Sequence, residues 1–202
     1  MTFWSYRLCG MTEREIYRHL RELRDDFTPP HGLGWPEISD GQIVMMMSPR
    51  PRHQLTAKLI SRQLDAQLDS GLIAAEATDV EEESLGKLRI PDILVVPEAA
   101  MDTDDPIDPR EILLAVEIVS PSNPSNDYEA KLRDYPAMGI PHYLIVDPRD
   151  GTCRYYHGIV REDGRPSYDN RHGYSYGDVI TVEGWTIETA GLPRYSGKDL
   201  KR

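Results

Sequence analysis

Three charged residues lie in stretches of sequence that are otherwise apolar. Asp92 stands at the head of the run in RIPDILVVP, Glu117 lies inside ILLAVEIVS, and Lys131 falls on the apolar stripe of the next predicted helix. Burying one uncompensated charge costs several kcal/mol, so such positions need a specific reason. Two carboxylates suit a hard cation such as Mg²⁺ or Mn²⁺. A nearby lysine can orient or deprotonate a bound water, and phosphodiester hydrolysis needs these parts.

Each of the three residues also has a structural alternative. Glu117 can form a buried ion pair, and Arg89 and Arg133 are candidate partners. A Pro-Asp pair before a strand, as at Asp92, is by itself a common turn or cap signal. Lys131 can extend its ammonium group from an apolar stripe to solvent. The metal-site interpretation therefore depends on the three residues occurring together.

The predicted elements place the two acids on strands. ILLAVEIVS is almost continuously apolar, which is typical of a strand buried on both faces. Period-2 alternation puts four residues on each face: Leu113, Ala115, Glu117 and Val119 on one, and Ile112, Leu114, Val116 and Ile118 on the other. Asp92 follows Pro91, and proline belongs at a strand start, an edge or a bulge. Its side chain can therefore turn towards a cleft.

The helix that carries Lys131 follows directly after a short loop. Asn126 and Glu129 form a capping pattern, which predicts that the helix begins at Asp127. At about 100° per residue one apolar face is formed by Tyr128, Leu132, Tyr135 and Met138. Lys131 falls within this face, so the phasing favours a lysine that lies over the sheet and points towards Glu117.

The rest of the pattern predicts an α/β domain with a mixed central β-sheet flanked by helices. An amphipathic helix over 12–27 starts with the capping box of Thr12 and Glu15, a hairpin turn falls at 39–41, and a second helix spans 52–68. We expect single strands in IAAEATDVEEES, KLRIPDILVVP, HYLIVDP and TCRYYHGIV, with a loop in EDGRPSYDNRHGYSYGD and one or two strands in VITVEGWTIET. With 202 residues, the chain is expected to form one domain over 1–202.

Composition limits the class of protein. The net charge of −11 argues against a general DNA-coating protein, because phosphate affinity is largely electrostatic. No apolar run reaches the roughly 20 residues that cross a bilayer, and the first residues do not have the pattern of a signal peptide. Cys9 and Cys153 fit neither a disulfide framework nor a zinc site, so we expect a cytoplasmic location.

Other residues are weaker candidates. His53, after the basic PRPR, can touch a phosphate or a catalytic water, or satisfy a local hydrogen bond at the start of its helix. Glu37 is a possible additional acid, whereas Asp40 fits a turn. Glu76 and the acids at 81–83 fit a solvated strand and turn, with contact to a metal as the alternative. The C-terminal aromatic residues fit core packing, with base stacking as the alternative: Tyr155, Tyr156, Tyr174, Tyr176 and Trp185.

The same residues carry a family resemblance. Pro-Asp at Asp92, the acid Glu117 and a lysine resemble the signature of PD-(D/E)XK nucleases. The signature's usual lysine position is Val119 here, and Lys131 is interpreted as a lysine that has migrated to the next helix. The stretch LLAVEIVSPSNPSNDYEAKLRDYPAMGIPHYLIVDP, with RIPDILVV before it, resembles the Uma-type restriction endonuclease family of bacteria. A weaker likeness includes EISDGQIVMMMSP and His53, so the resemblance covers about 35–160.

The resemblance implies a restriction-endonuclease-like fold, with an N-terminal helix and a C-terminal β-rich extension around this core. It implies metal ligands at Asp92, Glu117 and the backbone carbonyl of Ile118. The predicted function is Mg²⁺- or Mn²⁺-dependent endonuclease cleavage of DNA, in which Lys131 assists the attacking water. RNA is an alternative substrate, and a homodimer would supply the two sites that cutting two strands requires. The alternative function is a catalytically silent nucleic-acid-binding or regulatory domain on the same fold.

Overall fold

The computed structural model describes residues 10–197 and Asp199, so Cys9 and the first residues of the chain lie outside the described part. The helices are α1 (Glu13–Asp25), α2 (Pro51–Asp65) and α3 (Lys131–Met138). The strands are β1 (Glu37–Ser39), β2 (Gln42–Val44), β3 (Leu72–Glu76), β4 (Val80–Glu82), β5 (Lys87–Arg89), β6 (Ile93–Pro97), β7 (Leu114–Ile118), β8 (His142–Asp147), β9 (Thr152–Glu162), β10 (Arg165–Ser175), β11 (Val179–Val182) and β12 (Trp185–Glu188). Within this part of the chain, no helix is long and apolar enough to span a membrane.

A six-stranded mixed sheet forms the centre, in the order β10-β9-β8-β7-β6-β3. β7 and β8 run parallel, with Glu117 opposite Ile145, and every other neighbouring pair is antiparallel. One face packs against α2 through Ile60 and Leu64, and the other packs against α3 through Tyr135 and Met138. The predicted mixed α/β class is therefore confirmed.

The alternation predicted for β7 is observed within the strand. Leu114, Val116 and Ile118 pack in the apolar cluster that contains α2, whereas Ala115 packs in the cluster that contains α3. Glu117 consequently projects from the face that α3 covers. The faces predicted for the two residues before the strand are wrong. Ile112 packs on the α3 side and Leu113 on the α2 side, the opposite of the predicted alternation.

A second sheet, in the order β2-β1-β5-β4, packs against α1. The capping box predicted for α1 is present, since the Thr12 hydroxyl accepts from the backbone N–H of Glu15 and the Glu15 carboxylate accepts from that of Thr12. The hairpin predicted at 39–41 connects β1 and β2, with Asp40 in the left-handed region. This small sheet presents Glu37 towards the larger one.

Two segments that we predicted as single strands are each divided between the two sheets. IAAEATDVEEES breaks after β3 at Ala77, which has a φ of 50°, and continues as β4 in the small sheet. KLRIPDILVVP breaks at Pro91 between β5 and β6. Proline cannot donate a ladder hydrogen bond, so the chain leaves one sheet there and enters the other. The break places Asp92 at the junction of the two sheets.

Two further local predictions are wrong. The segment EDGRPSYDNRHGYSYGD was predicted as a loop, but it contains the 11-residue edge strand β10, which pairs with β9 across the turn at Asp163 and Gly164. Its polar side chains fit a strand with exposed faces. Asn126 does not cap a helix with its side chain; a π-helical turn spans Asn126–Ala130, and regular helix begins at Lys131.

The C-terminal aromatic residues pack into the two main apolar clusters. Tyr155, Tyr174, Tyr176 and Trp185 contact the cluster on the α2 side, and Tyr156 lies in the cluster on the α3 side. Packing, the favoured interpretation of these residues, is therefore what the structure shows.

Candidate active site

The three charged residues that the sequence singled out reach one cleft from three different elements. Asp92 lies between β5 and β6, Glu117 is in β7, and Lys131 is the first residue of α3. All three line a cleft of about 640 Å³ between the small sheet and the central sheet. Side chains separated by as many as 39 positions in sequence are thus brought together by the folding of the two sheets and α3.

Lys131 lies at the centre of a group of acids. Its Nζ atom is 2.7 Å from Glu117 Oε1, 3.3 Å from Glu37 Oε1 and 3.8 Å from Asp127 Oδ1. The residue is only 4% exposed, so the ammonium group is not directed to solvent. The Tyr135 hydroxyl donates a second hydrogen bond to Glu117 Oε1. The helix therefore fixes the Glu117 carboxylate from two positions, one turn apart.

Asp92 is bound to the end of β7. Its Oδ2 atom accepts a hydrogen bond of 2.7 Å from the backbone N–H of Ile118 and lies 3.2 Å from His53 Nε2. The same His53 nitrogen is 2.9 Å from the carbonyl oxygen of Ile118. His53 therefore bridges two groups that the family resemblance nominated as metal ligands. The local hydrogen bond predicted at the start of the helix is not the contact observed, because both partners of His53 Nε2 are distant in sequence. Contact with a phosphate or a catalytic water stays a prediction.

We call Asp92, Glu117, Asp127, Lys131 and His53 the site cluster. Burial raises the pKa of Glu117 well above its usual range, and the neighbouring acids raise it further, although Lys131 lowers it. Burial also raises the pKa of Asp127 to about 7, again with contributions from Asp92 and Glu37. Burial is the largest cause of both shifts, and the neighbouring acids add to it.

The neighbouring acids also raise the pKa values of Lys131 and His53. Burial lowers the pKa of Lys131, but Glu117, Glu37 and Asp127 raise it more, so its pKa lies above the usual value. Burial likewise lowers the pKa of His53, and Asp92 reverses this and raises it. Lys131 is therefore protonated at neutral pH.

Next to the site cluster lies a second buried group, which we call the bracing cluster: Arg89, Asp134 and Lys87. Arg89 donates to Asp134 and, over 2.8 Å, to Glu37 Oε2, while Lys87 Nζ is 3.0 Å from Asp134 Oδ1. Burial raises the pKa of Asp134, but Arg89 outweighs it and the pKa falls to about 2. Glu37 contacts both clusters, because its other oxygen lies near Lys131. Arg89 thus pairs with Glu37 and Asp134 rather than with Glu117.

The remaining sequence candidates have local partners. Glu76 bonds Lys58 and Ser61, Glu81 accepts from Tyr17, and Glu83 pairs with Arg14 and Arg18. None of these acids lines the cleft. Ser120, Pro121 and Ser122 do line it, as part of the loop between β7 and α3.

Several residues of the cleft were not candidates in the sequence analysis, and Asp127 and Tyr195 are two of them. Asp127 was interpreted only as a helix start, although its spacing of four from Lys131 is the spacing of a helical ion pair and could have identified it. Tyr195 enters the cleft from the C-terminal segment. No local pattern marks it, since its position depends on the path of the chain after β12.

The donor set is that of a hard cation with open coordination positions. Among residues 10–197 and Asp199, no group of three or more His, Cys, Asp or Glu side chains forms a complete metal site. Two carboxylates and a backbone carbonyl are all oxygen donors, however, and Mg²⁺ commonly takes one or two carboxylates and keeps several waters. Three acids, Asp92, Glu117 and Asp127, also surround one lysine and one histidine, and this excess of carboxyl groups favours a cation there. The site therefore fits Mg²⁺ or Mn²⁺ in donor chemistry and in charge.

Comparisons with known proteins establish the fold and the family of the chain. The structure resembles the crystal structure of a "putative nuclease belonging to DUF820" from Anabaena variabilis ATCC 29413, with a TM-score of 0.60 and 15% identity, over 92% of this chain and 96% of that chain. At that identity the likeness establishes a shared fold. The sequence matches the family Uma2, described as "Putative restriction endonuclease", over residues 34–186. The chain belongs to the Uma2 family. No curated protein matches it.

Proposed function

We propose that this protein is a metal-dependent endonuclease that hydrolyses phosphodiester bonds in DNA. The observation that carries the proposal is the Lys131 ammonium group, buried 2.7 Å from Glu117 in the cleft that Asp92 also lines. In the proposal, Asp92, Glu117 and the carbonyl of Ile118 hold Mg²⁺ or Mn²⁺. The bound ion would polarise the scissile phosphate and lower the pKa of the attacking water.

The side chains then have distinct tasks. Because Lys131 is protonated at neutral pH, it can orient the attacking water and stabilise the phosphate charge that develops in the transition state. It is not the group that takes the proton. Asp127 lies 3.8 Å from Lys131 and has a pKa of about 7, which suits a proton acceptor near neutral pH. Tyr135 holds Glu117 in position through its hydroxyl, and His53 does the same for Asp92 through its ring nitrogen.

Nicking of supercoiled plasmid DNA in Mg²⁺ or Mn²⁺ tests the proposal. We expect the wild-type protein to nick the plasmid, and we expect Asp92→Ala and Lys131→Ala each to lower the rate at least about 100-fold. The control is Lys58→Ala, which removes a half-exposed lysine paired with Glu76 outside the cleft. Unchanged cleavage by the two cleft variants would overturn the assignment. Absence of metal binding at millimolar concentration would do the same.

A silent binding or regulatory domain is the second candidate. The net charge of −11 favours it, since an acidic surface repels DNA outside the cleft. It predicts nucleic-acid binding without cleavage in any divalent metal. The endonuclease proposal includes a homodimer, because cutting both strands of a duplex requires two sites. Measuring the mass of the protein in solution tests whether the dimer forms.

A further inference from the structure

One wall of the cleft is apolar and exposed. Trp35 and Met47 are 54% and 55% exposed, and both line the cleft together with Met46 and Pro121. The site cluster forms the polar floor beneath them. Large exposed apolar side chains grouped at the mouth of a cleft are typical of a binding surface.

Trp35 is held in place from one side of its ring. The Arg24 guanidinium lies 5.5 Å from the ring centroid. Arg24 is itself buried, with its own partners in Asp79 at 2.6 Å and the carbonyl of Pro36 at 3.3 Å. The buried guanidinium thus gives the indole a fixed neighbour, and contacts that restrict a side chain before binding lower the entropic cost of stacking a second ring on it.

Tyr195 borders the cleft on the side of the C-terminal segment. The residue is 8% exposed and lines the cleft, whereas its hydroxyl is buried and has no hydrogen-bond partner among the described residues. The ring of Tyr195, rather than its hydroxyl, is therefore the part of the residue that we assign to the wall of the cleft.

The basic residues beside the cleft already have a partner, since Arg50 lines the cleft and both Arg50 and Arg52 bind Asp199. Arg52 pairs with the Asp199 carboxylate at 3.0 Å, and Arg50 donates to the Asp199 carbonyl at 3.0 Å. With a net charge of −11, phosphate attraction contributes little to affinity. Contact with the bases must contribute instead, and stacking on an aromatic side chain requires a base that is unpaired. A volume of about 640 Å³ is also that of a small-molecule site rather than a groove for a duplex.

We propose that the cleft takes unpaired nucleotides of single-stranded DNA, with a base stacked on Trp35 against Met47 and the adjoining backbone on the polar floor. This inference rests on the proposed nuclease function and narrows its substrate from DNA in general to DNA without a paired strand.

Fluorescence anisotropy with a labelled single-stranded DNA oligonucleotide, in EDTA to prevent cleavage, tests the inference. We expect the single strand to bind at least about 10-fold more tightly than the matching duplex. Trp35→Ala should weaken binding about 5- to 100-fold, and Trp35→Phe should retain most of it. Val179→Ala trims an exposed apolar residue outside the cleft and should bind like the wild type.

The two proposals fail in different ways. Equal or tighter binding of the duplex, or no effect of Trp35→Ala in a protein with wild-type thermal unfolding, would overturn the single-strand inference. Tighter binding of RNA of the same sequence would overturn the DNA assignment. Because binding is measured without metal, a protein that binds the single strand through Trp35 but cleaves nothing would overturn only the nuclease function.

Discussion

The site cluster and the bracing cluster are both buried and charged, and they meet at Glu37, but they differ in charge balance. In the bracing cluster, Arg89 and Lys87 match the acids, and the pKa of Asp134 falls to about 2. In the site cluster, acids outnumber nearby cations, and the pKa of Asp127 rises to about 7. Only the site cluster lines the cleft.

The difference indicates what each cluster does. The fully paired ion network of the bracing cluster connects the small sheet to α3, and removing one member leaves the others as unpaired buried charges. A buried group with excess negative charge costs stability, and such perturbed acids in a cleft are typical of functional sites. Here the costly cluster is the one open to a ligand, so charge balance separates the structural acids from the candidate catalytic ones.

The largest effect is expected on stability, from Arg89→Met. Removing this buried guanidinium leaves Glu37 and Asp134 without their main partner, and breaking a buried ion pair in this way costs about 3–5 kcal/mol. Urea unfolding at neutral pH measures the change. Arg110→Met, at an exposed pair with Asp108, should leave stability nearly unchanged. Equal effects of the two substitutions on stability would contradict the structural role that we assign to the bracing cluster.

Glu117→Gln should separate activity from stability. We expect nicking to fall at least about 100-fold. The free energy of unfolding in metal-free buffer should stay unchanged or rise, because one of the excess negative charges is removed. Asp134→Asn is the matched acid in the bracing cluster, and it should lower stability, since Arg89 and Lys87 lose their shared partner. If both variants lose the same stability, the proposed contrast in charge balance is wrong.

Asp127→Asn should change the pH dependence of stability. The folded-state pKa of Asp127 is raised to about 7, so between the usual aspartate value and about 7 the folded state binds more protons than the unfolded state. Stability conferred by the protonated carboxyl is therefore lost as pH rises through that window. The variant should show a smaller loss, by on the order of 1 kcal/mol. Urea unfolding in EDTA at about pH 5 and about pH 8 measures it, and parallel pH profiles would contradict the shift.

The smallest effect is expected from Tyr135→Phe, which removes the hydroxyl bound to Glu117. It should cost about 1 kcal/mol of stability and slow nicking several-fold, since Glu117 keeps only Lys131 on that oxygen. Tyr168→Phe removes a comparable hydrogen bond, to the carbonyl of Ile140, away from the cleft. It should cost similar stability with no change in nicking. Equal nicking by the two variants would mean that Tyr135 serves packing alone.

Local patterns in the sequence were sufficient to predict the contact between Glu117 and Lys131. Strand alternation assigned the face of β7, and helical phasing placed Lys131 over it, even though the helix begins four residues later than predicted. Pairing between distant segments was not predictable in the same way. The division of two predicted strands between sheets, the polar strand β10 and the entry of Tyr195 into the cleft all depend on long-range packing. The pairing of Arg89 with Glu37 and Asp134 also depends on contacts between distant segments and was not predicted.

Calorimetric titration with Mn²⁺ and Mg²⁺ tests the central claim most directly, because it measures whether the site cluster binds a cation. The account predicts one class of site in the wild-type protein, lost in Asp92→Asn and in Glu117→Gln and retained in the surface variant Asp108→Asn. Binding that survives both cleft substitutions, or no binding at millimolar metal, would contradict it.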